Sequence, residues 1–204
     1  MYQKKTKRKQ QAMQTKENIL NVATALFKKN GFENTTVEEI TGKAGISTGT
    51  FYYYFRSKEE LIYEWVKQLD EIYEDFYEKE VCGATADQVP ELIRKKIFLV
   101  LENYSRWGHD VVSISYSYMM RNEELKERMT SGTRICYQIS SELFTKGQTA
   151  GIIRSDLSID DLIQSNVRLE RGALIDWCIQ GGKSDILKDN ENNVRIYLDG
   201  IKTH

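Results

Sequence analysis

Residues 36–55, TVEEITGKAGISTGTFYYYF, hold two helix-start signals with one glycine stop between them, and that spacing leaves the chain few ways to fold. Thr36 followed three residues later by Glu39 is a capping box: the threonine oxygen accepts the Glu39 N–H and the glutamate reaches back to the Thr36 N–H. Val37, Ile40 and Ala44 then share one face of a helix that Gly45 ends, since glycine enters the left-handed region without a Cβ clash. Ser47 caps a second helix, whose inward side is Phe51 and Phe55 at i and i+4. A turn this short fixes the angle between the two helices.

On the second helix Gly49, Tyr52 and Tyr53 point away from the phenylalanines, while Ser47, Thr48 and Thr50 gather near its N-terminal end. Small hydroxyls at the tip and phenols on the outer side suit a nucleic-acid groove. Serine and threonine hydrogen-bond base edges and phosphates, threonine methyls touch the thymine methyl, and a tyrosine hydroxyl donates to a phosphate oxygen. Gly49 removes bulk where a DNA backbone would come nearest. Taken alone, the same pattern also fits an amphipathic hairpin whose tyrosines face another part of the protein.

The run GISTGTFYYYFRSKEEL, residues 45–61, resembles the recognition helix and following turn of the TetR family of bacterial transcriptional regulators, and the resemblance extends upstream through residues 19–36. It covers about the first third of the chain. Further on it rests on size, helical pattern and the stretch GIIRSDL, residues 151–157, which is similar to one that commonly precedes the family's penultimate long helix. The resemblance implies an all-α fold: an N-terminal three-helix DNA-binding domain with a helix-turn-helix, then a larger C-terminal helical domain for ligand binding and dimerisation. It also implies DNA contacts by Thr36, Ser47, Thr48, Gly49, Thr50, Tyr52, Tyr53 and Lys58, the last to the backbone. The implied partners are a double-stranded palindromic operator, a second copy of the chain, and a small hydrophobic or amphipathic inducer that releases a repressor.

Charge supports a nucleic-acid partner only when it is read by region. The whole chain carries −1, but residues 1–58 hold 11 Lys and Arg against 4 Asp and Glu, while the remainder holds 18 against 26. Three cysteines, Cys82, Cys136 and Cys178, are odd in number and widely spaced, which fits a reducing cytoplasm better than a disulfide scaffold. With only His109 and His204 there is no ligand cluster for zinc, and no cofactor motif is present. No apolar run approaches membrane-spanning length, and the basic start is not followed by the hydrophobic stretch of a secretory signal.

In chain order, residues 1–14, with Lys4, Lys5, Lys7, Arg8 and Lys9, read as a basic flexible arm that either solubilises the chain or follows phosphates. Residues 15–57 read as the DNA-binding domain, with a first helix capped by Thr15 and closed by Gly31, on which Phe32 folds back to Phe27. Residues 58–204 read as the ligand-binding and dimerisation domain. Its first helix starts at Lys58 behind a Ser57–Glu60 box, Pro90 opens the next, and residues 110–121 are helical although partly alternating. One helix covers residues 123–147, and another runs from Ile159 to about Gln180, with a break at Gly181-Gly182 before the last. Arg171-Gly172-Ala173 puts small residues where two helices could cross.

A single proline in 204 residues agrees with a helical chain of enough length to bury a core. Trp65, Tyr104, Trp107, Tyr116, Met120, Tyr137 and Trp177 are the candidate lining of an apolar pocket bearing hydroxyls, although any one of them fits a plain core as well. Two other readings stay open. One is a regulator of the same fold with a protein effector or none. The other is a helical enzyme, disfavoured because no nucleophile–base pair, phosphate loop or metal constellation is found.

Overall fold

The computed structural model describes the backbone of residues 2–203 and the side chains of residues 11–203. Among them are ten α-helices and no strand, with one antiparallel bridge between Ile153 and Lys202. The helices are α1 Tyr2–Asn30, α2 Val37–Ala44, α3 Thr48–Tyr54, α4 Glu60–Phe76, α5 Val89–Trp107, α6 His109–Arg121, α7 Glu123–Thr130, α8 Ile135–Thr149, α9 Ile159–Ile179 and α10 Ile186–Ile201. The chain divides into two compact units, Met1–Trp65 and Val66–His204.

In the first unit, α1 is longer than the expected helix, because Thr15 does not cap it. The Thr15 hydroxyl donates to the Gln11 carbonyl at 2.9 Å, a bond made inside a helix, and the Lys, Gln and Arg residues before it are good helix formers with no Gly or Pro among them. The basic side chains of residues 4–9 lie outside the described residues. Gly31 ends α1 at φ 80°, its N–H donating to Phe27 O at 2.9 Å, and the Phe27 and Phe32 rings meet with centroids 4.9 Å apart. Ile19, Ala23, Leu26 and Phe27 of α1 bury against a set that includes Ile40, Phe51, Phe55, Leu61 and Trp65. Burying such side chains contributes roughly 1.5–3 kcal/mol each, so this small unit draws most of its stability from one apolar stripe.

Helix α4 starts two residues later than its sequence suggests. The Glu60 carboxylate accepts from the Arg56 N–H at 2.7 Å, so the reciprocal bond of a Ser57–Glu60 box gives way to one that ties down the preceding turn.

The second unit is built around α5, which packs on α6, α8, α9 and α10 and buries Ile93, Ile97, Val100, Leu101 and Tyr104. Pro90 sits in its first turn, where a missing N–H costs nothing. The alternating residues of α6 are helical, as expected, since its backbone groups pair within the helix. The single helix expected over residues 123–147 is two. α7 ends at Thr130, and the Oγ of the next residue, Ser131, lies 2.7 Å from Thr133 Oγ1 while accepting the Thr133 N–H at 3.2 Å. These side-chain bonds offer the backbone around Gly132 an alternative to the helix. Ser158 caps α9 by accepting from Asp161 N at 3.1 Å, and Gly181 and Gly182, both with positive φ, separate α9 from α10.

Candidate nucleic-acid interface and interior cavity

Both halves of the α2 capping box form: Thr36 N donates to the Glu39 carboxylate at 2.9 Å and Glu39 N to Thr36 Oγ1 at 3.2 Å. Gly45 takes φ 69°, a conformation that strains any side-chain-bearing residue, and Ser47 Oγ then accepts from Thr50 N at 3.0 Å to start α3. Asn18 of α1 donates to Ala44 O at 3.1 Å, which fixes the end of α2 on α1. Phe51 and Phe55 are fully buried and seat α3 on the unit. The outer side therefore faces solvent, with Tyr52 at 52% and Tyr53 at 81% exposure, and Ser47, Thr48 and Gly49 exposed beside them. Thr50 is half-buried, its hydroxyl 2.8 Å from that of Ser47. A Cβ on Gly49 would meet only Ser47 Oγ, at 3.7 Å, so the fold itself has no need of a glycine there.

Lys58 stands in the turn before α4 with an internal task. Its Nζ donates to Phe32 O at 2.5 Å and Thr35 O at 2.9 Å, and lies 4.3 Å from the Phe32 ring centroid. An ammonium has three donors, so one remains. Arg56 was missed in the sequence. It lies just after α3, its side chain is 93% exposed, and its only ionic neighbour among the described residues is Glu60 at 3.9 Å; a cation in the turn that follows α3 was the available signal.

The second unit holds a partly open cavity of about 50 Å³ lined by α4 to α9, and three of the seven expected residues reach it: Tyr104, Tyr116 and Tyr137. The other four do not. Trp65 belongs to the core of the first unit, edge-on to Phe27 at 6.1 Å. Trp107 stacks edge-on against Tyr104, Met120 is exposed, and Trp177 Nε1 donates to Ser184 O at 3.0 Å. Helical spacing identified them as apolar without saying which side of the bundle they fill. The cavity instead gathers Tyr73 of α4, Arg134 and Cys136 at the start of α8, and Glu170 and Arg171 of α9, three stretches that no sequence spacing links. Arg134 donates through Nε and Nη2 to Asp70, at 3.1 and 2.7 Å, and buried Lys96 donates to Glu170 and Asn166, each at 3.0 Å. Burial pushes the Tyr104 phenol up to about 12 and raises Tyr73 and Tyr116 as well, so all three hold their protons at neutral pH. Burial also raises the Cys136 and Cys178 thiols, the latter to about 11, which leaves little thiolate for redox chemistry. Tyr137 borders a second space, an open hollow of about 870 Å³ along α8 that includes Glu142, Lys146 and Asp160.

A three-helix head with a capped helix-turn-helix and an outward reading helix, followed by a helical body, defines a DNA-binding transcriptional regulator. The family model described as bacterial regulatory proteins, tetR family, matches residues 19–64, from the middle of α1 into α4, which supports the TetR-family resemblance. It is 23% identical over 189 residues to the fatty acid metabolism regulator protein of Bacillus subtilis, covering 90% of this chain and 93% of that one. It is also 23% identical over 193 residues to the HTH-type transcriptional repressor KstR2 of Mycobacterium tuberculosis, covering 90% of each. Among solved structures, the regulator FadR from Bacillus subtilis in complex with stearoyl-CoA superposes with a TM-score of 0.76 at 21% identity, covering 91% of this chain and 98% of that one. Relatives that are DNA-binding regulators along nearly their whole length also remove the helical-enzyme reading. Among the described residues no helix is long and apolar enough to cross a membrane.

Proposed function

We propose that the chain is a homodimeric repressor, acting in the cytoplasm, whose two α3 helices read the halves of a palindromic operator and which a small molecule releases. The observation that carries the reading is the outer side of α3: two exposed tyrosines, small hydroxyls and a glycine the fold does not require, held by two buried phenylalanines. In this reading Ser47, Thr48 and Thr50 meet base edges and phosphates, Tyr52 and Tyr53 meet phosphates, and Gly49 admits the backbone. Thr36 and Lys58 contact phosphates beside α3, Lys58 with its remaining donor.

A second copy is supported by apolar side chains left uncovered on the last two helices. Ile175 and Ile179 of α9 lie at i+3 and i+7 from Gly172, and Ile196 of α10 lies four residues before Gly200. A Cβ on either glycine would meet no atom within 4 Å, so neither is small for the sake of packing within the chain. Two-fold pairing through this face matches the two-fold symmetry of a palindrome. Release by a ligand is supported by the interior cavity and by the relative solved with stearoyl-CoA. Linkage then requires DNA and ligand to weaken each other by the same factor.

Selection of bound fragments from a random DNA pool at fixed, low salt tests the reading. An inverted repeat is expected. Recovery of no preferred sequence, or of a single unrepeated half-site by a chain that stays monomeric in light scattering, refutes it.

A further inference from the structure

The cavity of the second unit holds one more positive charge than its carboxylates can answer. Asp70 is engaged by Arg134 and Glu170 by Lys96, in each case at 3.0 Å or less. Arg171, half-buried on the cavity wall, has no carboxylate partner among the described residues, and its Nη2 reaches the Tyr137 hydroxyl only at 3.5 Å. Close by, Asn166 is wholly buried with its Oδ1 on Lys96 and no partner for its Nδ2. Asn166 stands behind the lining, so Arg171 is the surplus donor on the cavity wall itself, and the phenols of Tyr73, Tyr104 and Tyr116 add to it.

On the ligand-responsive reading above, we propose that the effector is an organic monocarboxylate with a compact apolar tail, its carboxylate held by Arg171 and Tyr137. The planar guanidinium fork matches a carboxylate in shape and charge. A cationic ligand would have to break a pair already made, which leaves a buried charge without a partner. A neutral ligand would displace the water around Arg171 and return no acceptor of equal strength. A dianion would bring a second charge with nothing to meet it. The space of about 50 Å³ takes only a few waters, below the usual 300–1,000 Å³ of a drug-sized pocket, so a short or flat tail enters at the least cost in rearrangement. Tyr137 lines both this cavity and the open hollow along α8, which makes its side the way in.

Thermal shift and titration calorimetry on the full chain, at constant ionic strength, test the proposal with the monocarboxylates from butyrate to decanoate and phenylacetate, each beside its amide and amine. At least one carboxylate is expected to raise the melting temperature saturably while its amide and amine do not. Arg171→Met should weaken that carboxylate at least tenfold, Arg171→Lys less, and Tyr137→Phe by a smaller factor. Should Arg171→Met fail to fold, the wild-type charge series and Tyr137→Phe decide. Equal binding of amide or amine, or undiminished binding by Arg171→Met, overturns the carboxylate assignment. If these compounds and a broad panel of neutral and cationic amphipaths all leave the melting temperature unmoved, the ligand-responsive reading falls and this proposal with it. Hits confined to neutral or cationic members overturn the carboxylate assignment alone.

Discussion

At Lys58 a single ammonium group joins the turn after α1 to the start of α4. Its bonds to the Phe32 and Thr35 carbonyls and its place over the Phe32 ring explain a lysine where a helix dipole would disfavour one. Lys58→Met should therefore lower stability by about 1.5–3 kcal/mol, the range for bonds to a charged donor, read as a drop in the urea midpoint. If the third donor also meets a phosphate, the same variant should reduce the slope of log K against log salt by about 1 in operator titrations. An unchanged slope with a lowered midpoint would assign the residue wholly to the fold. Tyr53 is the converse case. At 81% exposure its removal should move stability by no more than about 0.5 kcal/mol, while Tyr53→Ala should weaken operator binding roughly tenfold in a mobility-shift titration. Residues like these were legible because α3 is short and capped at a known point, which fixes the side each one takes. The lining of the cavity was not legible, because Tyr73, Arg134 and Arg171 meet only through the packing of separate helices.

The elements whose limits are set by local chemistry were readable in the sequence, and those set by competition were not. The Thr36 box, Gly31, Gly45, Pro90 and Ser158 each satisfy or excuse backbone groups at a terminus, and each stands where the sequence puts it. Thr15 and the α7–α8 break misled because serine and threonine bond equally well to a carbonyl one turn back, to a cap or to a neighbouring hydroxyl, and only the surrounding chain chooses. Thr36→Ala removes one of the two reciprocal bonds that start α2 and should cost about 1 kcal/mol in denaturant unfolding. Gly147 gives a sharper element-level prediction, unannounced by any turn signal. It lies within α8 at ordinary helical φ, and a Cβ there would stand 2.4 Å from Ile153 Cγ1 and 3.1 Å from Val89 Cγ1, both buried. Gly147→Ala, favourable in a free helix, should instead destabilise the second unit by about 1–3 kcal/mol through overpacking. A melting temperature equal to or above that of the parent would show that the turn at Ile153 gives way easily.

For the whole molecule, the distribution of charge and of uncovered apolar surface bears on the same assembly. Residues 1–58 carry the excess of Lys and Arg and the remainder the excess of Asp and Glu, so DNA attracts one region of the chain and repels the other. A single head, with α3 only two turns long, offers few base contacts, and useful affinity then depends on a second head bound to the same duplex. The proposed dimer supplies it through Ile179, 78% exposed, and Ile196, 66% exposed. Placing a glutamate at both, Ile179→Glu with Ile196→Glu, would bury two like charges per chain in the paired state, at the cost of taking each out of water. The double variant should run as a monomer by light scattering at micromolar concentration and bind an operator of two half-sites at least a hundredfold more weakly than the parent. Its affinity for a single half-site should stay within a few-fold, since neither isoleucine belongs to the reading unit. A double variant that remains dimeric would move the interface elsewhere on the chain. One that is monomeric yet keeps full operator affinity would remove the need for two heads.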